Sequence, residues 1–520
     1  MLSSHYSDEK ILALAKLQLL DKEYESAERS FSRLKGSLWR SEEGRVGAVL
    51  CSILAGKDSE TFRLDPSGSV SEEFPYRLLL FQSLADRRFK ACSRLAELLE
   101  EERGWATLFK AAADLELGSP PFLEGLPDEP KDSWLLQRLL QTQGWLEKSP
   151  QRVVYDRRGA PIGLALAEGS LQLARGIDEL LVPTVAEHHL RLATKGGGLR
   201  LSLDLELSKM ALSALDGFRG SIVILSAETG DVLVAVSDRR TVEKEGLAAF
   251  SQAREPASIS KLITTTAAIR SGLNVDAEVS QMSCQGAERY RGGILYCSYR
   301  AGPLEGLDHA LAISCNIAFA NLGILVGRQG MLDELALYGF DRPSSAGFHF
   351  GKVLERTGNE LQLADLSIGL EATSVTPLHA ALIASVYGNQ GFMPEPRILV
   401  ATDGWLGISP VSLPIEAGRE VIDAAWLPLL LSAMEAVTER GTAHGISEPG
   451  FEVAMKTGTG RNKNLGFHTN YIGIGPMPDP SISFCIRITN QITSGRVRRA
   501  TLKVARRLFN ELSQRTYLLP

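Results

Sequence analysis

The chain has 520 residues, of which 44% are hydrophobic and 23% are charged, and its net charge at pH 7 is −6. This length allows two or three domains with cores of their own, and the apolar content is ordinary for a globular protein. The small net charge, with both signs interspersed, argues against a general nucleic-acid-binding protein, and six cysteines are too few for a disulfide-rich scaffold.

The sequence predicts neither a membrane span nor a signal peptide within this chain. No stretch approaches the roughly 18–20 consecutive apolar residues of a membrane-spanning helix. The first residues, Met1–Lys10, also lack the basic region and the apolar run of a secretory signal peptide.

Residues 1–148 are predicted to form an all-α domain of helical hairpins. Ala27 and Phe31 lie at positions i and i+4 of the second predicted helix, a small and large pair that resembles the second half of a tetratricopeptide repeat. A degenerate copy of this pattern occurs at residues 84–95. A plain helical bundle is the alternative that the same residues allow. In either arrangement we find no catalytic constellation, and the expected role is a docking or spacer surface.

Clusters of proline and glycine indicate a domain boundary after this helical part. Residues 149–198 are predicted to be a linker or pedestal segment, with a strand and a turn at 152–159. Residues 199–520 are predicted to form the second domain. Near its start, the β-branched runs 220–225 and 231–236 flank a turn and therefore predict a β-hairpin.

The predicted chemical centre is the pair Ser258 and Lys261 at the start of an apolar, helix-like run. Residues three apart on a helix share one face, so these side chains could contact each other. A serine hydroxyl needs a base to become a nucleophile, and a lysine can be that base where burial or a nearby cation lowers its pKa. The pair alone is weak evidence, because an N-capping serine followed by a solvated lysine gives the same pattern.

Two further motifs support a functional interpretation. Ser314 and Asn316 form an S-x-N motif at the end of a predicted helix, and the sequence K-T-G-T follows at residues 456–459, after a strand-like run. The order S-x-x-K, S-x-N and K-T-G-T resembles that of penicillin-binding proteins and class A β-lactamases. The short segment Asp156–Gly159 and the predicted hairpin also resemble parts of large penicillin-binding proteins.

The resemblance implies an α+β fold after the all-α N-terminal domain. A penicillin-binding transpeptidase domain consists of an antiparallel sheet flanked by helices, together with a helical subdomain. The similarity continues through most of the remaining chain and ends in a terminal helix at residues 497–513.

Acyl transfer from a peptide requires a nucleophile, a base, an acid for the leaving amine and donors for the oxyanion. Ser258 would attack the carbonyl, and Lys261 would accept its proton. Ser314 could relay the proton to the leaving nitrogen, and Asn316 could hold Lys261 and the substrate amide. By resemblance, the backbone N–H groups of Ser258 and Thr459 would form the oxyanion hole.

The K-T-G-T motif is expected to bind the substrate. Lys456 would lower the pKa of Lys261 by charge repulsion and would attract a substrate carboxylate. Gly458 would let the substrate lie against the strand edge, and the hydroxyls of Thr457 and Thr459 would donate hydrogen bonds to the carboxylate.

Two residues depart from the pattern of the family. Ala257 stands where a glycine is usual, and Met455 stands where a glycine often precedes the K-T-G sequence. The bulk of Met455 could narrow the cleft and change the substrate preference.

Cys284 and Cys297 lie between the first two motifs, and we consider that they form a disulfide, which an oxidising exterior would allow. A zinc site that adds His309 is an alternative without a clear fourth ligand, and free buried thiols are another. We otherwise expect no cofactor and no metal ion.

The function that the resemblance implies is a D,D-transpeptidase, which cross-links peptidoglycan stem peptides through a serine acyl-enzyme and is acylated by β-lactams. A D,D-carboxypeptidase, a serine β-lactamase and a catalytically weak β-lactam sensor or scaffold are the alternatives. Glu355 and Asn359 have the spacing of the carboxylate–amide pair of class A β-lactamases, but their surroundings do not match. The N-terminal part is too short for a glycosyltransferase domain, so we predict a monofunctional enzyme.

This function implies an extracytoplasmic location, in the periplasm or on the outer face of the cell membrane. We therefore expect that the export signal or anchor is absent from this chain. The expected partners are stem peptides, β-lactam antibiotics and a cell-wall protein that docks on the N-terminal helical domain, but no nucleic acid.

Overall fold

The structure is a computed structural model of the chain. It describes residues 15, 18, 23–33 and 51, and residues 152–520 except 166–170, 174–177, 183–198, 246–247, 344–347, 355, 371, 404–409, 463–465 and 492. Residue contacts divide the chain into two compact units, Met1–Val153 with Ala174–Gly176 and Val154–Leu173 with Ile177–Pro520.

In the first unit the structure describes the helix α1 (Tyr24–Phe31). Ala27 and Phe31 both lie on this helix and are fully buried. Most of residues 1–148, including the second copy of the pattern at 84–95, lies outside the described residues, so the tetratricopeptide-like repeat stays a prediction.

The second unit mixes helices with strands, most of which pair antiparallel, while the strands Arg152–Tyr155 and Leu199–Leu201 pair in parallel. Its described helices are α2 (Leu205–Ala214), α3 (Arg239–Glu245), α4 (Ala248–Ser251), α5 (Ser260–Arg270), α6 (Val275–Ser280), α7 (Leu307–Ala312), α8 (Asn316–Leu337), α9 (Glu360–Ile368), α10 (Pro377–Gly388), α11 (Leu427–Glu439) and α12 (Ser494–Gln514). Short 3₁₀ helices occur at Glu179–Leu181, Ala257–Ile259, Ala424–Trp426 and Thr516–Leu518.

The described strands are β1 (Arg152–Tyr155), β2 (Pro161–Ala165), β3 (Leu171–Leu173), β4 (Leu199–Leu201), β5 (Gly220–Ser226), β6 (Val232–Ser237), β7 (Ser283–Cys284), β8 (Ala287–Tyr290), β9 (Gly293–Tyr296), β10 (Gly302–Pro303), β11 (Lys352–Val353), β12 (Thr373–Ser374), β13 (Phe392–Met393), β14 (Leu399–Asp403), β15 (Pro410–Ser412), β16 (Arg419–Glu420), β17 (Ala454–Asn462), β18 (Gly466–Gly475) and β19 (Ile482–Gln491).

The main sheet has five antiparallel strands in the order β17-β18-β19-β5-β6. The hairpin predicted from the two β-branched runs is confirmed as β5 and β6. These strands are buried along their whole length, because the sheet is covered on both faces. Their sequences are largely apolar, and the buried hydroxyls of Ser221 and Ser237 share a hydrogen bond of 2.8 Å. The strand β17, which carries the K-T-G-T motif, is an edge strand of this sheet.

Helices cover the two faces of the main sheet. Phe484 pairs with Gly473 across the ladder and packs edge-to-face on Phe509 of α12, with 5.1 Å between ring centroids. Ile474, the next residue on β18, points to the opposite face, where it lies beside Gly388 of α10. The terminal helix α12 is amphipathic, and its apolar stripe faces the sheet while its basic side chains lie outside.

A second sheet has the strand order β15-β14-β4-β1-β2-β3. Its strands β1 to β3 come from the segment that the sequence predicts to be a linker or pedestal. The strand β1 ends at Tyr155, and the turn that follows is held by Asp156, whose carboxylate accepts hydrogen bonds from the N–H groups of Arg158 and Ala160 at 2.9 and 2.7 Å. The predicted strand and turn at 152–159 are therefore confirmed.

The helices α5, α8 and α9 pack on one another and form a helical part beside the edge strand β17. Within α8 the helical geometry is interrupted at Gly327, whose φ is 78°. No helix among the described residues is long and apolar enough to cross a membrane.

Candidate active site

The segment that carries Ser258 is a 3₁₀ turn (Ala257–Ile259) in front of α5, so the serine precedes the α-helix while Lys261 lies within it. Ala257 has a φ of 53°, in the left-handed region that side chains disfavour. Its N–H donates to Gly369 O at 2.9 Å. This turn leaves Ser258 partly exposed while its neighbours Ala257 and Ile259 are buried.

Gly369 makes room for this turn. A Cβ atom at this position would lie 2.5 Å from Ala257 O and would also meet Ser260 Oγ, and the φ of the glycine is +73°. Gly369 ends α9 as its left-handed cap, a conformation that glycine adopts without strain.

Lys261 is fully buried, and its Nζ donates three hydrogen bonds. The acceptors are Ser314 O at 2.7 Å, Asn316 Oδ1 at 2.7 Å and Ser314 Oγ at 3.1 Å. The ammonium also lies 5.7 Å from the ring centroid of Phe319 on α8. These contacts place Lys261 of the S-x-x-K motif against both residues of the S-x-N motif. No hydrogen bond joins the side chains of Ser258 and Lys261, both of which the structure describes, because the three donors of Lys261 point to Ser314 and Asn316.

Ser314 lies in the tight connection between α7 and α8, with a φ of 55°. This connection directs both its carbonyl and its hydroxyl at Lys261. Lys456 Nζ donates to the same Ser314 Oγ at 2.9 Å, and to Thr457 O at 2.9 Å. The hydroxyl of Ser314 therefore bridges two lysine side chains, each of which is fully buried.

Asn316 is the first residue of α8, and its side-chain amide both accepts and donates a hydrogen bond. Its Oδ1 accepts from Lys261, and its Nδ2 donates to the carbonyl of Tyr296 on β9 at 2.9 Å. Because the orientation of the amide is fixed at both ends, Asn316 fixes the position of Lys261 relative to the β8–β9 hairpin.

Thr457 and Thr459 alternate with Lys456 and Gly458 along β17. Thr457 Oγ1 shares a hydrogen bond of 2.6 Å with Thr442 Oγ1, and Thr459 is partly exposed. The structure thus brings the three motifs together at the junction of the main sheet and the helical part.

The structure gives Gly458 a packing role, and its role in binding substrate stays a prediction. A Cβ atom there would lie 2.6 Å from Pro256 O and 3.3 Å from the N atom of Ile259. The glycine is needed because the backbone of the turn that carries Ser258 (residues 256–259, the nucleophile turn) packs directly against β17. Close approach of the protein's own chain therefore already requires a glycine at this position.

Met455 does not narrow the cleft. Its side chain is fully buried and lies beside Gly473 on the neighbouring strand, where a Cβ atom would be only 2.6 Å from the Cβ of Met455. Gly473 provides the space that the larger residue needs, so the substitution is accommodated in the core of the sheet.

Burial is the main influence on both lysine pKa values. It lowers the pKa of Lys261 from its usual value of 10.5 to about 8. It lowers the pKa of Lys456 well below the usual value, and repulsion from the nearby Lys261 lowers it further. Repulsion from Lys456 was expected to lower the pKa of Lys261. At Lys261, however, the pKa is lowered because burial removes the charge from water.

Asn470 and Arg487 support the nucleophile turn, and the sequence alone did not identify them. Asn470 Nδ2 donates to the carbonyls of Glu255 and Pro256 at 3.1 and 3.2 Å. The fully buried Arg487 donates through Nε to Asn470 Oδ1 at 2.6 Å and through Nη2 to Val375 O at 3.0 Å. An arginine inside the apolar strand 482–488 was the available signal, because a charge is buried only where it has acceptors.

The structure does not contain the disulfide considered between Cys284 and Cys297, because both are free thiols. Their sulfur atoms instead form a group with that of Cys315, the middle residue of the S-x-N motif, in which all three lie within 4.8 Å of one another. His309 is not part of this group, and its Nδ1 accepts a hydrogen bond from the N–H of Glu305 at 3.2 Å.

The comparison with known families agrees with this geometry. The model of the penicillin-binding protein transpeptidase domain matches residues 220–514, which is more than half of the chain. The chain belongs to this family, and the α+β architecture expected for its transpeptidase domain is confirmed.

Individual relatives are more distant. Peptidoglycan D,D-transpeptidase PbpA of Mycolicibacterium smegmatis is 27% identical over 341 residues, which are 56% of this chain and 67% of that protein. Penicillin-binding protein PbpB of the same organism is 25% identical over 360 residues, or 61% of this chain and 54% of the relative. The chain thus spans between half and two thirds of these two proteins.

Among solved structures, penicillin-binding protein 3 of Mycobacterium tuberculosis, complexed with aztreonam, has a TM-score of 0.61. Its sequence identity is 21%, and the match covers 71% of this chain and 96% of that one. This similarity shows that the two chains share a fold.

Proposed function

We propose that the chain is a serine D,D-transpeptidase that cross-links peptidoglycan stem peptides and is acylated by β-lactams. The observation that carries the proposal is the bridge Lys261–Ser314–Lys456 beside the strained turn of Ser258. Two lysines that share one hydroxyl in a buried site cannot both hold a proton at low cost. The arrangement therefore lowers the lysine pKa values, so that a neutral lysine can act as the base nearer to neutral pH.

In the proposed mechanism, Ser258 Oγ attacks the carbonyl of the donor stem peptide, and neutral Lys261 takes its proton. The proton then passes through Ser314 to the leaving nitrogen, which departs as the acyl-enzyme forms. Ser314 suits this relay because its hydroxyl lies within hydrogen-bond distance of both lysine Nζ atoms, at 3.1 and 2.9 Å.

The edge of β17 is the proposed binding surface for substrate. An edge strand offers N–H and C=O groups to an extended peptide, which can add to the sheet as a further strand. The N–H of Thr459, with that of Ser258, would form the oxyanion hole, and Thr457, Thr459 and Lys456 would bind a substrate carboxylate.

Asn359 has a structural role that argues against a class A β-lactamase arrangement. Its Oδ1 accepts from the N–H of Gln362 at 3.0 Å, and Gln362 Oε1 accepts from the N–H of Asn359 at 2.8 Å. This capping box starts α9. The amide is therefore occupied in a helix cap, and Glu355 lies outside the described residues.

The same proposal includes the location and the partners. Cross-linking of peptidoglycan takes place outside the cytoplasmic membrane, so the chain would act in the periplasm or on the outer face of that membrane. Residues 1–148 would form the tetratricopeptide-like domain that docks a cell-wall protein, residues 149–198 the pedestal segment, and residues 199–520 the transpeptidase domain.

The choice of acceptor tests this proposal. The purified chain would be incubated with a stem pentapeptide donor and a D-amino acid as the acceptor amine, and products would be separated by mass. We expect an exchanged peptide whose yield rises with acceptor concentration, and none with Ser258→Ala. Hydrolysis alone at every acceptor concentration would identify a carboxypeptidase, and rapid turnover of a β-lactam without peptide exchange would identify a β-lactamase.

A further inference from the structure

Three cysteines from separate elements meet next to the S-x-N motif. Cys284 ends β7, Cys297 follows β9, and Cys315 caps the N-terminus of α8. Their sulfur atoms lie within 4.8 Å of one another, and those of Cys297 and Cys315 are 4.0 Å apart. Cys284 and Cys315 are fully buried, whereas Cys297 is partly exposed.

We propose that Cys284, Cys297 and Cys315 bind one zinc ion through three thiolates, with the fourth position open to water. Thiolate sulfurs at about 2.3 Å from a tetrahedral zinc ion lie about 3.8 Å apart, so the observed separations need to contract by 1 Å or less. Binding exchanges three thiol protons for Zn²⁺, with no change of oxidation state. The partly exposed Cys297 gives the ion and the water ligand access to the site.

The surroundings of the sulfur atoms fit a metal site. The N–H of Asn316 donates to Cys297 Sγ at 3.3 Å, and such donors stabilise a thiolate. The Cys284 thiol donates to Tyr299 O at 3.4 Å, a weak contact that the protein can give up on metal binding. The zinc site expected as an alternative used Cys284, Cys297 and His309 and lacked a clear fourth ligand, whereas the structure brings Cys315 to the two other cysteines as a third sulfur.

A disulfide fits this group less well than a metal ion does. It would use two of the three sulfurs, would bring them to about 2.05 Å from each other, and would leave the third as an unpaired thiol. A zinc ion uses all three from near their present positions. It would also fix the S-x-N turn, because Cys315 lies between Ser314 and Asn316, both of which bind Lys261.

The test measures metal directly and so does not depend on the proposed transpeptidase activity. The full chain, freed of any affinity tag, would be reduced, loaded with Zn²⁺, desalted and assayed by elemental mass spectrometry. Loading with Co²⁺ would report thiolate ligation through a sulfur-to-cobalt charge-transfer band in the near ultraviolet. We expect about one ion per chain and this band in the wild-type protein.

Variants then identify the ligands. Cys297→Ser is the mildest change in the group because the residue is partly exposed, and we expect it to lower metal affinity at least about tenfold. Cys485→Ala is the matched control, since Cys485 is buried in β19 outside the group and should leave the stoichiometry unchanged. Circular dichroism would verify that both variants are folded.

Two results would overturn the proposal. One is a fully reduced wild-type protein that binds neither Zn²⁺ nor Co²⁺, including the case in which the purified chain carries a disulfide within the group. The other is metal binding that is the same in folded Cys297→Ser and wild-type protein. Neither result decides whether Ser258 is the nucleophile, because the acylation of Ser258 is measured separately.

Discussion

Ser314 is the residue on which the chemistry of the site depends most, because its hydroxyl connects Lys261 to Lys456. The two lysines come from a helix and an edge strand that are far apart in the sequence. A single hydroxyl between them allows a proton to move without a change in the backbone.

Ser314→Ala should therefore slow acylation while leaving the fold intact. Loss of a proton relay typically reduces a rate by about 10²–10⁴-fold, and we expect a decrease in that range. The second-order acylation rate constant with a fluorescent penicillin would measure it. Ser513→Ala on the surface of α12 is the matched control, and an acylation rate in Ser314→Ala equal to that of the control would contradict the relay.

The acylation rate should also depend on pH. Burial lowers the pKa of Lys261 to about 8, so its neutral, basic form is rare below that pH and predominates above it. The rate should therefore rise as pH increases through about 8 and then level off. A profile of the acylation rate constant between pH 6 and 10 would check this, and a rate that is flat or falls across this range would contradict a lysine base.

At the scale of elements, the site depends on two close approaches of backbone that only glycine permits. Gly458 lets the nucleophile turn pack on β17, and Gly369 lets the same turn pack on the end of α9. The strained φ of Ala257 is held between these two contacts.

Gly369→Ala should destabilise the protein and slow acylation together. The new Cβ would lie 2.5 Å from Ala257 O, so the turn of Ser258 has to shift. We expect a loss of about 1–3 kcal/mol in the free energy of unfolding, measured with urea.

Gly217→Ala is the matched control for this change. Gly217 has a similar left-handed φ of +80°, but an added Cβ there meets nothing within 4 Å. It should lose stability through backbone strain alone and keep the wild-type acylation rate. Equal acylation rates in the two variants would show that Gly369 does not position the nucleophile turn.

Local sequence predicted the elements better than it predicted their contacts. The hairpin of β5 and β6, the strand and turn at 152–159 and the terminal helix follow from short-range patterns. The packing of Gly458 on Pro256 and the burial of Met455 depend on residues hundreds of positions away or on other strands, so no local pattern contains them. The three-cysteine group was missed for the same reason, since Cys315 appeared only as part of the S-x-N motif.

At the scale of the whole molecule, the described active-site residues all come from the second unit, between Ser258 and Thr459. The sheet supplies Lys456 from one edge, and the helical part supplies Lys261, Ser314 and Asn316. Catalysis would therefore require residues 199–520 together with the strands β1 to β3 that precede them in the second sheet.

A fragment of residues 149–520 tests this division. It should be acylated by penicillin at the same rate as the full chain, within about twofold, because mutations or deletions remote from a site usually act independently of it. Acylation rates and circular dichroism of the fragment and the full chain would be compared. A folded fragment with a much slower rate would show that residues 1–148 contribute to the active site.

Ser258 is proposed to be the nucleophile of a penicillin-binding transpeptidase. The most direct measurement is the intact mass of the wild-type chain and of Ser258→Ala during incubation with benzylpenicillin, with the modified peptide mapped by fragmentation. We expect a long-lived adduct of one benzylpenicilloyl group on Ser258 in the wild type and no adduct in the variant. An adduct on another residue, or none on a folded wild-type chain, would contradict it.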